Sequence, residues 1–65
     1  MENPKTDVRV QLVGQDGNAF AILGRVRSAL KRNGHSDLVD EFTKEATSGD
    51  YDNLLHVCTK YVHVE

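Results

Sequence analysis

Apolar residues recur along this 65-residue chain with two different periods. Near the N-terminus Val8, Val10 and Leu12 alternate with polar residues, and Val62 and Val64 do so near the C-terminus. Such alternation is typical of a strand with one buried face. Between these two segments, apolar residues recur every three or four positions, which is typical of amphipathic helices. The chain is therefore limited to a mixed fold with a small sheet and helices packed against it.

Capping residues and glycines divide the central part into three helices. Asn18 is a good N-cap for a first helix that begins at Ala19, and Gly34 suits the left-handed position that follows a helix end. The pair Ser36-Asp37 begins a second helix, and Asp50 caps a third. The predicted buried stripes are Ala19, Ile22, Leu23, Val26, Ala29 and Leu30 on the first helix, Leu38, Val39, Phe42 and Ala46 on the second, and Tyr51, Leu54, Leu55, Cys58 and Tyr61 or Val62 on the third.

We therefore expect an α+β domain of order β-α-α-α-β, with three amphipathic helices packed on a two-stranded sheet. Residues 1–6 are polar and aperiodic and are expected to form a flexible N-terminus, and residues 7–65 to form the single domain. Two strands alone are marginal in water, so the helices have to cover one face of the sheet. The pattern leaves open whether the strands are parallel or antiparallel, and whether they pair within one chain or between two.

Length and cysteine content restrict the class of protein. A chain of this size buries only about 60% of the surface that it exposes when unfolded, so a partner surface would help to stabilise it. Cys58 is the single cysteine, which excludes an internal disulfide and favours a reducing compartment. No apolar run approaches the roughly 20 residues of a membrane helix, and the N-terminus lacks the apolar core of a signal peptide. We expect a cytoplasmic protein that does not enter a membrane.

Glycines near the first helix raise the question of a phosphate-binding loop. The segment Q-D-G-N-A-F-A-I-L-G follows Gly14 and contains Gly17 and Gly24. Their spacing matches neither the P-loop pattern nor the dinucleotide fingerprint G-x-G-x-x-G. We interpret Gly14 and Gly17 as parts of a turn and expect no cofactor. Gly24 lies inside a helix at a cost of about 1 kcal/mol, and either marks a close approach by another backbone or partner or simply faces solvent.

The other candidates for catalysis or metal binding fail on spacing. Cys58 and His56 are two residues apart on a helix, so their side chains point in different directions and cannot form a nucleophile and its base. His35, His56 and His63 lack the i, i+4 spacing that zinc sites use on a helix. We expect no catalytic site and no metal site, and hence no enzyme.

Charge is distributed unevenly, although the net charge is only −2. Residues 18–34 contain four basic residues and no acidic one, whereas residues 37–52 contain six acidic residues and Lys44. In one interpretation these charges suit the helix dipoles and pair across the rims of neighbouring helices. In the other, the first helix carries a binding surface for an acidic protein or a phosphate backbone. The candidate residues of that surface are Phe20, Gly24, Arg25, Arg27, Ser28, Lys31 and Arg32.

Three segments also carry a resemblance. The strand V-R-V-Q-L-V-G, the segment D-G-N-A-F-A-I-L-G at 16–24, and S-G-D-Y-D-N-L-L at 48–55 followed by Y-V-H-V-E make the chain resemble a group of small uncharacterised bacterial and phage proteins. The resemblance covers nearly the whole chain after Thr6. It implies a shared fold and a bacterial or phage origin, and assigns no activity, cofactor or site residue.

These observations predict a non-enzymatic protein-interaction module, with a homodimer as one form of it. Unpaired strand edges or leftover apolar side chains such as Phe20 and Val57 would drive self-association. The alternative is a nucleic-acid-binding protein that uses the basic face of the first helix. An acidic second helix and the lack of an exposed aromatic pair for stacking disfavour this alternative.

Overall fold

The computed structural model describes residues 4–12 and 17–65, and its elements follow the predicted order β-α-α-α-β. The elements are β1 (Arg9–Val10), α1 (Ala19–Arg32), α2 (Ser36–Ala46), α3 (Tyr51–Tyr61) and β2 (His63–Val64). The predicted α+β class, with three helices on a two-stranded sheet, is confirmed. None of the helices in the described ranges is long and apolar enough to span a bilayer.

The two strands pair in parallel within the one chain, which answers the question that the sequence left open. Arg9 lies opposite His63, and Val10 opposite Val64. Parallel strands require a crossover connection, and here the three helices form it. Backbone hydrogen bonds of 2.8 Å extend the pairing beyond the strands, from the His63 amide to the Val8 carbonyl, from the Glu65 amide to the Val10 carbonyl and from the Leu12 amide to the Glu65 carbonyl.

The core lies between the sheet and the helices. Val8 and Val10 face it and are buried, whereas Arg9 between them is exposed. At its centre the rings of Phe42 and Tyr61 meet edge to face, with centroids 5.4 Å apart. The buried apolar residues are Val8, Val10, Ile22, Val26, Ala29, Leu30, Val39, Phe42, Ala46, Leu54, Val57, Cys58, Tyr61 and Val62.

The predicted helix caps are present. Asn18 Oδ1 accepts a hydrogen bond of 2.8 Å from the Phe20 amide, and Asp50 Oδ1 accepts one of 2.9 Å from the Asn53 amide. Gly34 has a φ of 80°, the left-handed conformation expected after α1. The predicted turn before α1 falls partly on residues 13–16 and lies to that extent outside the described residues.

The packed part of the chain begins earlier than the sequence analysis placed it. The Lys5 amide donates a hydrogen bond of 2.9 Å to the Lys60 carbonyl. Thr6 is buried, and its hydroxyl donates to the Tyr61 carbonyl at 2.7 Å and accepts from the Val8 amide at 3.2 Å. The boundary at residue 6 therefore differs from the structure, because backbone carbonyls in the last turn of α3 hold Lys5 and Thr6 in place.

The buried face of α3 is rotated relative to the predicted one. Leu54, Val57, Cys58 and Tyr61 form the buried stripe. The prediction of Val57 as leftover apolar surface is wrong, since only 2% of Val57 is exposed. Tyr51 and Leu55, which were predicted to be buried, are instead partly exposed.

Candidate interaction surface

All of the candidate surface residues lie on the solvent side of α1. The helix buries its opposite side, where Ile22, Val26 and Leu30 pack into the core. At 3.6 residues per turn, positions 20, 24, 27 and 31 share one side of a helix. The structure thus aligns Phe20, Gly24, Arg27 and Lys31 opposite the core, and we call these four residues the outer stripe of α1. Arg25 and Arg32 lie on the neighbouring side of the helix, with Ser28 between them and the stripe.

Phe20 is the most exposed large apolar residue among those described, with 84% of its surface accessible. The Asn18 cap fixes its position in the first turn of α1. Beside it lies an apolar groove of about 290 Å³, where the start of α1 meets the end of α2 and the start of α3. The groove is lined by Ala19, Phe20, Leu23, Ala46, Thr47, Gly49, Asp50, Tyr51 and Leu54. We call it the Phe20 groove.

Tyr51 forms part of this groove, a role that the apolar pattern of α3 did not predict. It was assigned to a buried stripe but is 43% exposed. Its hydroxyl donates a hydrogen bond to the Gly17 carbonyl, which connects the start of α3 to the chain just before α1. A tyrosine in the first turn after a cap was the available signal, because its hydroxyl needs a polar partner while its ring packs on apolar carbon.

Gly24 leaves a gap in the outer stripe. A Cβ atom placed there would meet no atom of the described residues within 4 Å apart from its own helix backbone and chain neighbours. Gly24, Arg27, Ser28 and Lys31 line a depression of about 150 Å³ at this point, which we call the Gly24 notch. No other described part of this chain approaches Gly24, so the space above it is open to a second molecule.

The basic residues of α1 have no ion-pair partner among the described residues. Arg25, Arg27, Lys31 and Arg32 form no ion pair with any described residue. The predicted pairing across the rims of α1 and α2 is absent from the described part of the chain. The acidic residues of α2 that do pair reach elsewhere: Glu41 to Lys5 at 3.4 Å, and Glu45 to Lys60 at 2.9 Å.

Negative charge lies at the other end of the same surface. Asp50 lines the Phe20 groove while its carboxylate caps α3, and Asp52 is exposed in the first turn of that helix. The surface therefore runs from acidic residues beside Phe20, through Gly24, to basic residues toward the end of α1. A ligand of uniformly negative charge would be repelled at one end of it.

The residues considered for catalysis and metal binding are not brought together. Cys58 is buried, and this burial raises the pKa of its thiol to about 11, so the group stays protonated at neutral pH. His56 is exposed on α3, and His63 is exposed in β2. Within the described ranges, no three histidine, cysteine, aspartate or glutamate side chains are grouped closely enough to hold a metal ion.

Comparison with known proteins adds no relative: no protein-family model matches the chain, and no match was found among curated proteins or solved structures.

Proposed function

We propose that this chain is a non-enzymatic protein-interaction domain of a bacterial or phage cytoplasm, and that it binds through the outer stripe of α1 and the Phe20 groove. The observation that carries the proposal is the exposed ring of Phe20 beside an apolar groove. A single exposed apolar residue is ordinary on a protein surface. Aromatic residues are enriched in the cores of protein interfaces, and exposed Phe20 adjoins a groove that can take up side chains of a partner.

The open position of the groove favours a macromolecular partner over a small ligand. Small-molecule sites usually enclose about 300–1,000 Å³ and bury most of the ligand. The Phe20 groove measures about 290 Å³ and lies at the surface between three helices. It has room for one or two side chains of a partner, and exposed Phe20 and Tyr51 supply apolar contact area around them.

Affinity capture from the native lysate tests this function. Tagged wild-type chain is compared with Phe20→Glu and with the control Leu55→Glu, which places the same charge at an exposed apolar position of α3. Circular dichroism establishes that all three are folded. We expect a protein that survives nuclease and high salt to bind wild type and Leu55→Glu but not Phe20→Glu. Equal recovery of every protein by all three baits would contradict the proposed surface.

Nucleic-acid binding is the second candidate. The basic side chains of α1, which form no ion pair with a described residue, favour it. Contacts with phosphates release counterions, so such binding falls steeply as salt increases. Arg25→Glu and Arg32→Glu would abolish it, whereas a largely apolar protein interface would respond little to salt. Recovery of only nuclease-sensitive, salt-labile material would make this candidate the function. The acidic residues beside Phe20 weigh against it.

A further inference from the structure

The outer stripe of α1 is complementary to itself. It carries a projecting ring, Phe20, and a depression of matching size, the Gly24 notch. An enclosed apolar cavity of roughly 150 Å³ holds a benzene molecule. The notch is an open depression of the same volume, about 150 Å³, bounded by Arg27, Ser28 and Lys31, and a phenylalanine ring matches it in size. Both features lie on one helix. A second copy of the chain can therefore insert its Phe20 into this notch while the Phe20 of the first copy enters the notch of the second.

A twofold axis that passes beside Gly24 would place the Phe20 ring of each copy at the Gly24 notch of the other copy. When two copies of a helix pack antiparallel about residue 24, position 20 of one lies level with position 28 of the other. The notch is lined by residues 24, 27, 28 and 31, so its centre lies at the level of the partner copy's Phe20. One axis therefore inserts both Phe20 rings at once, as a closed twofold interface requires.

Gly24 itself permits this approach. Helices pack with their axes 8–10 Å apart, and the lower part of that range needs a small residue at the crossing point. Gly24 lies at the middle of the exposed face, and no other described element covers it. Inserted between Arg27 and Lys31, an aromatic ring also gains cation–π attraction.

Opposite charges also meet at the two ends of such a pair, although Arg27 lies three residues from the axis and faces its counterpart. In the antiparallel pair, Lys31 of one copy lies level with position 17 of the other. The Gly17 carbonyl accepts a hydrogen bond from Tyr51, which lines the Phe20 groove together with Asp50, the residue before it. The basic end of each copy therefore meets the acidic end of its neighbour, whereas a parallel pair would place like charges together.

We propose that the partner bound by this surface is a second copy of the chain, in a twofold antiparallel α1 pair with each Phe20 in the Gly24 notch of the other copy. This inference rests on the proposed function and gives its partner a chemical identity. The pair uses one helix face from each copy, so its interface is small and its affinity weak, as in transient complexes.

Sedimentation equilibrium of the full chain, up to hundreds of micromolar, tests the proposal with two variants. Phe20→Ala removes the aromatic ring, and Gly24→Leu fills the notch. The Cβ atom of the new leucine would meet no described neighbour. We expect each to weaken dimerisation at least about tenfold. Leu55→Ala is the control and should leave the dissociation constant unchanged. The variant that carries both substitutions should dimerise no more weakly than the weaker of the two single variants, because both changes remove the same contact.

The position of the axis is tested by cross-linking. A cysteine introduced by Gly24→Cys should form a disulfide with its copy under mild oxidation, since residues at a twofold helix crossing come within disulfide range. Lys44→Cys, at an exposed position of α2, is the control and should stay reduced at the same protein concentration. Equal cross-linking of the two variants would overturn the antiparallel register. The native Cys58 is buried and does not compete.

The results separate the two proposals. A wild type that remains monomeric at every concentration, or a dimer unaffected by both Phe20→Ala and Gly24→Leu, overturns self-association through α1. If a different protein is nevertheless captured in a Phe20-dependent manner, the interaction function stands with another partner. If neither a dimer nor Phe20-dependent capture is found, both proposals are wrong.

Discussion

The Tyr61 hydroxyl donates a hydrogen bond of 2.8 Å to Glu45 Oε1, although the tyrosine side chain itself is fully buried. The other carboxylate oxygen of Glu45 accepts a hydrogen bond of 2.9 Å from Lys60 Nζ. These two bonds connect the last turn of α3 to the end of α2. Hydrogen bonding by Lys60, and next by Tyr61, holds the pKa of Glu45 below its usual value of 4.5.

The Glu45 carboxylate should make the free energy of unfolding depend on pH in the acid range. Because the pKa of Glu45 is lower in the folded state, the unfolded state takes up its proton first as pH falls. The stabilisation by Glu45 is fully present above 4.5, the pKa of this carboxyl in the unfolded chain. It is lost as pH falls through the lower pKa of the folded state. Urea unfolding across the acid range should show a shallower pH dependence for Glu45→Gln than for wild type.

Asp37→Asn is the control for this measurement, since it removes one negative charge from the exposed start of α2. Because Asp37→Asn removes no hydrogen bond to Lys60 or Tyr61, its slope should stay closer to that of the wild type than the slope of Glu45→Gln does. If Glu45→Gln and Asp37→Asn changed that slope equally, the bonds to Lys60 and Tyr61 would not be its cause.

Thr6 should contribute to stability more than a residue near a chain end usually does. Thr6→Val keeps the shape of the side chain but removes the hydroxyl that bonds the Tyr61 carbonyl and the Val8 amide. Since it leaves buried backbone groups without a partner, we expect a loss of about 2 kcal/mol in the free energy of unfolding, measured by chemical denaturation. Thr47→Val, at an exposed position, should cost about 0.5 kcal/mol or less. Comparable losses in both variants would refute the role assigned to Thr6.

Two glycine substitutions should change stability in opposite directions. Gly24→Ala should stabilise the folded chain by roughly 0.4–1 kcal/mol, because the position is helical and its Cβ would meet no described neighbour. Gly34→Ala should destabilise it by about 1 kcal/mol or more, because φ is 80° at that position. Thermal unfolding at low protein concentration, where no dimer forms, measures both changes. A shift of the same sign in both variants would disprove the conformational argument.

The thiol of Cys58 should be inert in the folded protein. Burial raises its pKa to about 11, so the reactive thiolate is scarce at neutral pH and is also shielded from reagents. A chromogenic disulfide reagent should label the chain only in denaturant. Labelling of the native protein as fast as of the denatured protein would show that Cys58 is accessible.

Local features were predictable from the sequence because they depend on near neighbours. Asn18 and Asp50 cap helices through amides two and three residues away. Gly34 adopts its left-handed conformation immediately after α1. The apolar period of α2 likewise identified Val39, Phe42 and Ala46 as buried residues. None of these features requires knowledge of where the other elements lie.

Features that depend on distant contacts were not predictable. The apolar pattern of α3 permits more than one buried face, and packing against α1 and α2 selected the one with Val57 inside and Leu55 partly outside. Thr6 is buried because the end of α3 supplies its partner, 55 residues away in sequence. The charge pattern gave no indication that Glu45 would bind Lys60 rather than a base of α1.

The sequence by itself determined the order of the elements, the helix caps and the basic character of α1, since period, capping and charge are properties of short segments. The tertiary structure alone decided that the strands pair in parallel, because the direction of β2 depends on how three helices carry the chain back to β1. It also decided that Phe20 adjoins a groove while no described element covers Gly24. Both follow from which side of α1 the other helices bury, and a single helix does not specify what packs against it.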